Sequence, residues 1–189
     1  MDLMEVLKAR RSIGLVKEDA VSRDLIEQIL EAGTYAPNHH RTEPWRFFVL
    51  EGDARNRLGD VLAEITQSTC ADPPSEDDLK KIERQRKNPL RAPVIIAVGV
   101  EPTDKKNVIL QEEHAAVHAA VQNMLLAIHA LGLGAVWRTG PICYDKKVKE
   151  FFKLSPQGEL VAFLYIGYPN MEPGKKINKG FEEHTTWME

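Results

Sequence analysis

The sequence predicts an α+β protein whose central, mostly antiparallel sheet is flanked by helices, with one long helix buried at the centre. Two observations support this class. Segments with the apolar period of helices come before, between and after about four short apolar runs typical of strands. One helical segment, residues 106–131, is apolar nearly all round, and a chain of 189 residues can hardly enclose it alone. We therefore expect a single domain over residues 1–189 that forms an obligate dimer.

The elements of the N-terminal half are predicted from local signals. Ser22 is a suitable N-cap and Gly33 a suitable end for the helix between them. Two prolines bracket a polar segment, which indicates a loop before the first strand. The predicted elements are helix 2–11, helix 23–32, loop 35–44, strand 45–50 and a helix capped by Asp53.

Residues of about 70–90 differ from the rest in composition. Pro73 and Pro74 break the preceding helix, and Ser75 followed by Asp78 resembles a capping box. The helix that this box opens is highly charged and stops by Pro89. We expect this segment to be a mobile helical excursion over the surface.

The C-terminal half contains the clearest buried elements. Residues 94–100 form a continuous apolar run, typical of a strand covered on both faces. Gly132 and Gly134 are expected to end the long helix. The remaining predicted elements are a short strand or extended turn at 135–139, a helix from Asp145 to Leu154, a strand at 160–168, and a tail, 169–189, that packs on the partner subunit.

Charge and composition exclude some classes of function. The 25 Lys and Arg against 28 Asp and Glu give a formal net charge of −3, unlike a general nucleic-acid binder. Two cysteines, Cys70 and Cys143, cannot build a disulfide framework. The first residues lack the basic start and apolar stretch of a secretory signal. We expect a cytoplasmic protein that binds neither nucleic acid nor membrane.

Two arginine-containing segments are candidates for ligand binding. The guanidiniums of Arg10 and Arg11 with the hydroxyl of Ser12 can hold a phosphate, although cations at a helix C-terminus are common without a ligand. Arg138 lies between Trp137 and Thr139. This segment can place a positive charge and a flat aromatic surface beside a planar ligand. The alternative for that segment is a strand edge with a solvent-facing arginine.

Histidines form two further groups. His114 and His118 stand four residues apart on one helix face, yet a metal site would need a third ligand. We therefore favour the interpretation that these two histidines belong to a polar interface or to the core. His39 and His40 lie in the polar loop, where a catalytic role is one alternative and loop-surface positions or ligand-edge contacts are favoured.

Taken in order, these segments resemble the flavin-dependent nitroreductase family, especially its short branch. The resemblance covers nearly the whole chain, and the combination is more specific than any one segment. The matching segments are Arg10-Arg11-Ser12, Ala36-Pro37 with Glu43-Pro44-Trp45, the Ala-rich long helix, residues 132–140 and residues 163–169.

The resemblance implies a homodimer with two shared active sites, each holding FMN. It assigns Arg10, Arg11 and Ser12 to the phosphate, ribityl chain and ring edge. It assigns Tyr35 and His39 as contacts from the other subunit. The resemblance further places Trp137, Arg138 and Thr139 along the ring, with backbone N–H groups of Thr139 or Gly140 near flavin N5, and NADH or NADPH near residues 127–132.

The sequence departs from the family's pattern at several positions. Many members carry Lys or Arg where this chain has Gly14, close to flavin N1, and the next cation here is Lys17. Asn38, Arg41 and Glu43 replace other polar residues of the loop. In the tail, two alternatives are open for Lys175, Lys176 and Lys179: contact with the phosphate, or solvated surface positions.

The resemblance implies an FMN-dependent NAD(P)H oxidoreductase that passes hydride to a nitro compound, quinone or similar acceptor by a ping-pong mechanism. No catalytic side chain is required, because the flavin carries the chemistry. Two alternatives stay open. One is a flavoprotein of the same family with another redox reaction, such as dehalogenation or flavin fragmentation. The other is a non-catalytic dimeric module that binds a ligand or metal through His114 and His118.

Overall fold

A computed structural model of the protein, which describes residues 2–175 and 178–189, has one four-stranded sheet in the order β1-β2-β4-β3. Each neighbouring pair of strands is antiparallel, which confirms the predicted α+β class. The strands are β1 Trp45–Leu50, β2 Val94–Val100, β3 Gly134–Arg138 and β4 Glu159–Gly167. The helices are α1 Leu3–Ala9, α2 Arg23–Thr34, α3 Asp53–Gln67, α4 Glu76–Lys87, α5 Leu110–Ala130 and α6 Lys146–Phe151.

The sheet separates two apolar layers. Alternate residues of β2, such as Ile96 and Val98, face α2 and α5, while Ile95 and Ala97 face α3 and α6. Every residue of β2 is buried, as predicted for a continuous apolar run. In the described part of the chain, no helix has the length and apolar character needed to cross a membrane.

Helix α2 begins as predicted but ends later. The Ser22 side chain accepts a hydrogen bond from the Leu25 N–H group, so the cap is confirmed. Gly33 was expected to end the helix, yet the helix continues to Thr34. A Cβ at Gly33 would lie 3.0 Å from Phe47 Cζ and 3.1 Å from Met124 Cγ, so this glycine allows close packing of α2 on α5.

The long helix is shorter than predicted at its N-terminal end. Helix α5 begins at Leu110 rather than near Lys106. Its C-terminal end follows the prediction, because Gly132 has a φ of +78° and the Leu133 N–H group donates to the Ile128 carbonyl at 3.0 Å. One face of α5 stays exposed in the single chain. The exposed residues on that face are Gln111, Ala115, His118 and Gln122.

The ends of several other elements differ from the prediction by a few residues. Gly52, not Asp53, is the N-cap of α3, so Asp53 is its first helical residue. Asp145 caps α6, as predicted, by accepting from the Lys147 N–H group at 2.8 Å, but the helix stops at Phe151. Helix α1 ends at Ala9 because Arg10 adopts an extended conformation, with a ψ of 132°. The arginine pair therefore follows the first helix instead of lying within it.

Helix α4 packs on α3. The capping box is confirmed, since Ser75 and Asp78 each accept from the other's backbone N–H group. The Ser75 hydroxyl and the Ser75 N–H group both donate to the Asp78 carboxylate and lower its pKa. Ile82 is buried, and Arg86 forms an ion pair with Asp60 of α3. The segment is helical as predicted, and its mobility stays a prediction.

Alanine at Gly59 is expected to destabilise the protein, although alanine favours an isolated helix by about 1 kcal/mol over glycine. A Cβ at Gly59 would overlap the Arg86 carbonyl oxygen and lie 3.1 Å from its carbonyl carbon. We expect Gly59→Ala to lower the free energy of unfolding by about 2 kcal/mol in urea denaturation, because α4 must move away. Gly14→Ala is the control, since nothing lies within 4 Å of its Cβ position. An unchanged or raised midpoint for Gly59→Ala would contradict the close crossing of α3 and α4.

Candidate functional site

Edge strand β3 connects two of the three groups of candidate residues, with one group at each end. The Ile13 N–H group donates to the Ala135 carbonyl at 2.8 Å, so the segment that carries Arg10 and Ser12 comes to the start of β3. Trp137 and Arg138 lie at the other end of the strand, and Thr139 follows it. Four residues of extended chain span about 13 Å. The two groups therefore lie at opposite ends of one short strand.

The two arginines of the first group have different environments. The Arg11 guanidinium donates to the carbonyls of Lys8 at 2.7 Å, Arg10 at 2.9 Å and Gly174 at 3.2 Å. It therefore links the end of α1 to the tail. The Arg10 guanidinium makes no hydrogen bond within residues 2–175 and 178–189, and Ser12 is exposed. Arg10 and Ser12 are the members of this group that are available to a ligand.

Trp137 and Arg138 point to opposite faces of the sheet. The Trp137 indole donates to the Val161 carbonyl at 3.3 Å and stacks on His118, with ring centroids 5.9 Å apart. The Arg138 guanidinium lies 5.2 Å from the ring centroid of Tyr165, and its Nε is buried without a partner in the described part of the chain. The Trp137 indole therefore packs against the layer of α5, whereas the Arg138 side chain faces the layer of α3 and α4.

A cavity of about 330 Å³ opens on that face. Arg138 and Thr139 line it together with Gln85 of α4 and Asn88, whose amide donates to the Gln85 side chain at 3.1 Å. A second cavity of about 470 Å³ shares Gln85 and Thr139 and extends to Gly140. These volumes are in the range of small-molecule sites. Nothing lies within 4 Å of the Cβ position of Gly140, whose φ is +121°, so its backbone is open to a ligand.

Among the described residues that line this cavity, Arg138 is the charged one. Burial lowers the pKa of the Arg138 guanidinium, and the charges of Arg91 and Arg84 lower it further. Burial also raises the pKa of Tyr165 to about 12, an effect that Arg138 and Arg91 oppose. Arg91 ends the turn Asn88–Arg91 and, together with Lys17, lines a different cavity of about 510 Å³.

Tyr35 and His39 form a separate group. Tyr35 is 75% exposed at the end of α2. His39 Nδ1 lies 2.5 Å from Glu112 Oε2, and its ring stacks on His40 at 3.9 Å. No hydrogen bond or ring contact in the described ranges joins Tyr35 or His39 to the residues beside β3. In a single chain, these two side chains are open to solvent or to another subunit.

A buried carboxyl group fixes the loop that carries His39. Glu113 is 2% exposed, and its Oε1 accepts from the Thr42 hydroxyl at 2.5 Å. Its Oε2 accepts from the Thr103 N–H group at 3.3 Å. Glu113 therefore joins two loops to the first turn of α5. Within the first loop, the Asn38 side chain accepts from the Glu43 N–H group at 3.1 Å.

The remaining candidate residues are dispersed. His114 Nε2 lies 3.8 Å from Glu159, and His118 contacts Trp137, so the two histidines contact different residues. No group of three or more His, Cys, Asp or Glu suited to a metal occurs among the described residues. His129, in the segment 127–132, has its Nε2 buried without a partner in those ranges, beside Arg10 and Arg11.

Two of the three tail lysines lie among the residues that the structure describes. Lys175 follows Gly174, the carbonyl that Arg11 holds. Lys179 lies 3.7 Å from Glu183. Lys176 lies outside the described residues. A role for any of these lysines at a phosphate stays a prediction.

Sequence reasoning missed Gln85, Asn88, Arg91 and Glu113. Glu113 had a signal, because it falls on the same helical stripe as Val117 and Ala120, which are fully buried. The other three lie at the end of the charged helix and in the turn after it, where no local pattern indicates a cavity.

Comparison with known proteins gives the class of protein to which this fold belongs. The chain matches the Nitroreductase family model over residues 7–168 and belongs to that family. It is 36% identical over 178 residues to the Escherichia coli protein named "Putative NAD(P)H nitroreductase YdjA", covering 94% of each chain.

Two solved structures show the same fold. A nitroreductase-like family protein from Bacillus cereus has a TM-score of 0.86 and 28% identity, over 100% of this chain and 97% of that one. A Desulfovibrio desulfuricans protein solved in complex with FMN has a TM-score of 0.74 and 29% identity, over 100% of this chain and 98% of that one. The resemblance inferred from sequence motifs is thereby confirmed at the level of family and fold.

Proposed function

We propose that this protein is an FMN-dependent NAD(P)H oxidoreductase of the nitroreductase type. The observation that carries the proposal is the arrangement along β3. Arg10 and Ser12, with polar groups available to a phosphate, lie at one end. At the other end lie two open cavities that share Thr139, one lined by Arg138 and the other by Gly140. A ligand with a phosphate and a flat polar ring needs both features.

The residues present suit FMN in three ways. Arg10 can form charge-assisted hydrogen bonds with a phosphate. The buried, unpartnered Nε of Arg138 can donate to a polar ring edge inside the cavity. The open backbone at Gly140 allows close approach of a ring, with N–H groups as donors. When bound, FMN supplies the hydride chemistry, so the protein needs no nucleophile of its own.

We propose that two copies of the chain share each site. Tyr35 and His39 lie apart from the β3 residues in one chain, which fits a role at the partner's site. Apolar side chains that a second subunit would cover are exposed on α1 and in the tail. The exposed residues are Leu3, Met4 and Leu7 on α1, and Phe181, Trp187 and Met188 in the tail.

Anaerobic reduction tests this function. Purified protein incubated with FMN should be yellow after gel filtration, and NADH or NADPH should bleach it because hydride passes to the ring. A nitroaromatic compound or a quinone should restore the colour, with the parallel double-reciprocal lines of a ping-pong mechanism. A halogenated phenol, tested in the same way, decides whether dehalogenation is the reaction instead.

Two results would contradict the proposal. If the purified protein does not bind added FMN, the proposal that it is a flavoenzyme is excluded. Sedimentation should give an FMN-loaded dimer, and a monomer that retains FMN on dilution would exclude the shared site.

A further inference from the structure

The cavity of about 510 Å³ that Lys17 and Arg91 line is separate from the two cavities beside β3. It shares no lining residue with either of them. Its walls come from the loop at residues 15–18, the first turn of α3 and the turn that leads into β2. Its volume is in the range of small-molecule sites. The residues assigned above to FMN therefore leave this cavity without a role.

Arg55 supplies the most constrained positive charge of this cavity. It lies half-buried in the first turn of α3, and its Nη1 donates to the Ala92 carbonyl at 2.6 Å. Its Nε is buried and has no hydrogen-bond partner in the part of the chain that the structure describes. A guanidinium presents five N–H donors in a planar fork that matches a carboxylate. The Arg55 side chain is thus held by a backbone contact and keeps donors available to an anion.

Two more cations line the same cavity. Lys17 and Arg91 stand against one carboxylate, that of Glu18. None of the ion pairs formed within residues 2–175 and 178–189 includes Arg55 or any of these three. Like charges held near one another are unfavourable unless an anion joins them. The excess of positive charge therefore suits this cavity to a negatively charged ligand.

The rest of the cavity wall is apolar. Leu15 is 52% exposed and Leu90 is 44% exposed, and both line the cavity. Val16, Ala92 and Pro93 complete this part of the wall. An inorganic anion would meet the positive charges but would leave the two leucines in water, whereas an apolar group would cover them. The wall therefore favours an anion that carries an apolar body.

The loop that carries Lys17 is fixed by backbone contacts on both sides. The Lys17 N–H group donates to the Tyr168 carbonyl at 2.8 Å, and the Asn170 N–H group donates to the Leu15 carbonyl at 3.0 Å. This part of the wall is formed before a ligand arrives. A preformed site loses less conformational entropy on binding than a mobile one.

We propose that this cavity binds a small organic carboxylate with an apolar body, at a site separate from that of FMN. The Arg55 guanidinium donates to the carboxylate, and Lys17 and Arg91 lie close to the same charge. The apolar body covers Leu15 and Leu90. The proposal does not depend on the proposed function, because no residue assigned to the flavin lines this cavity.

Calorimetric titration of the FMN-loaded protein with 4-phenylbutyrate tests this site. The neutral amide, 4-phenylbutyramide, has the same shape without the charge and should bind at least about tenfold more weakly. Inorganic phosphate should also bind more weakly, because it leaves the leucines uncovered. The affinity for 4-phenylbutyrate should fall in high salt and should be the same in the apoprotein. If the protein does not bind FMN, the titration of the apoprotein still tests this site.

Matched variants assign the binding to this cavity. Lys17→Gln/Arg91→Gln removes two exposed charges and should weaken binding of 4-phenylbutyrate about tenfold. Glu18→Gln removes the opposing charge and should strengthen binding about twofold. Arg57→Gln is the control, because Arg57 lies on the same helix as Arg55 but pairs with Asp53 at 3.6 Å, and it should leave the affinity unchanged.

Arg55→Lys keeps the positive charge but loses the planar fork, and should weaken binding about tenfold. Equal affinity for the carboxylate and its amide, equal affinity for inorganic phosphate, or unchanged affinity in the Lys17→Gln/Arg91→Gln variant would each overturn the proposal. Displacement of 4-phenylbutyrate by FMN, or loss of its binding in Arg138→Gln, would also overturn it, because either result would place the probe beside β3.

Discussion

Replacing Arg10 with alanine is expected to weaken FMN binding about 10- to 150-fold, from the loss of about 1.5–3 kcal/mol in charge-assisted hydrogen bonds. The Arg10 guanidinium makes no hydrogen bond within the described ranges, so its N–H groups are available to a phosphate. Fluorescence titration of apoprotein with FMN measures the change. The free energy of unfolding of the apoprotein should stay nearly constant, because no internal contact of the guanidinium is lost.

The neighbouring arginine provides the contrasting variant. Arg11 donates to three backbone carbonyls, including that of Gly174 in the tail. Arg11→Ala should therefore free the tail, seen as faster proteolysis after residue 170, and lower the stability of the apoprotein. Equal FMN affinity for Arg10→Ala and wild-type protein would contradict the assignment of Arg10 to the phosphate.

The different environments of Arg10 and Arg11 show which features can be predicted from the sequence and which cannot. Elements whose signals are local were predicted well: β1 and β2 have the predicted bounds, and the caps at Ser22, Ser75 and Asp145 are present. Each depends on residues within about four positions of one another. Arg10 and Arg11 share the same local signal, but Arg11 donates to backbone carbonyls, one of which, that of Gly174, is distant in the sequence.

The cavity beside Arg138 and Thr139 also depends on contacts between residues that are distant in the sequence. The motif at Trp137–Thr139 indicated a ligand segment, but strand alternation places Trp137 against α5 and Arg138 against the opposite layer. Gln85 and Asn88 reach the site only because α4 packs on α3 and returns the chain to β2. That packing depends on Gly59, which lies more than twenty residues earlier. Contacts of this kind have no signature in a short window of sequence.

Glu113→Ala is expected to have the largest effect on stability, lowering the free energy of unfolding by about 3–5 kcal/mol. Both carboxyl oxygens of the buried Glu113 accept hydrogen bonds. The substitution would leave the hydroxyl of Thr42 and the N–H group of Thr103, both half-buried residues, without this partner. Urea denaturation measures the loss. Glu113→Gln, which keeps one acceptor oxygen, should lose about half as much and remains measurable if the alanine variant does not fold.

The adjacent glutamate is a matched control for this effect. Glu112 contacts His39 but its side chain is 41% exposed, so Glu112→Ala should cost about 1 kcal/mol or less. Because Glu113 anchors the loop of Thr42, its variants should also weaken FMN binding through a misplaced His39 in the dimer. A loss of stability in Glu113→Gln no larger than that in Glu112→Ala would show that the buried carboxyl group does not hold the two loops together.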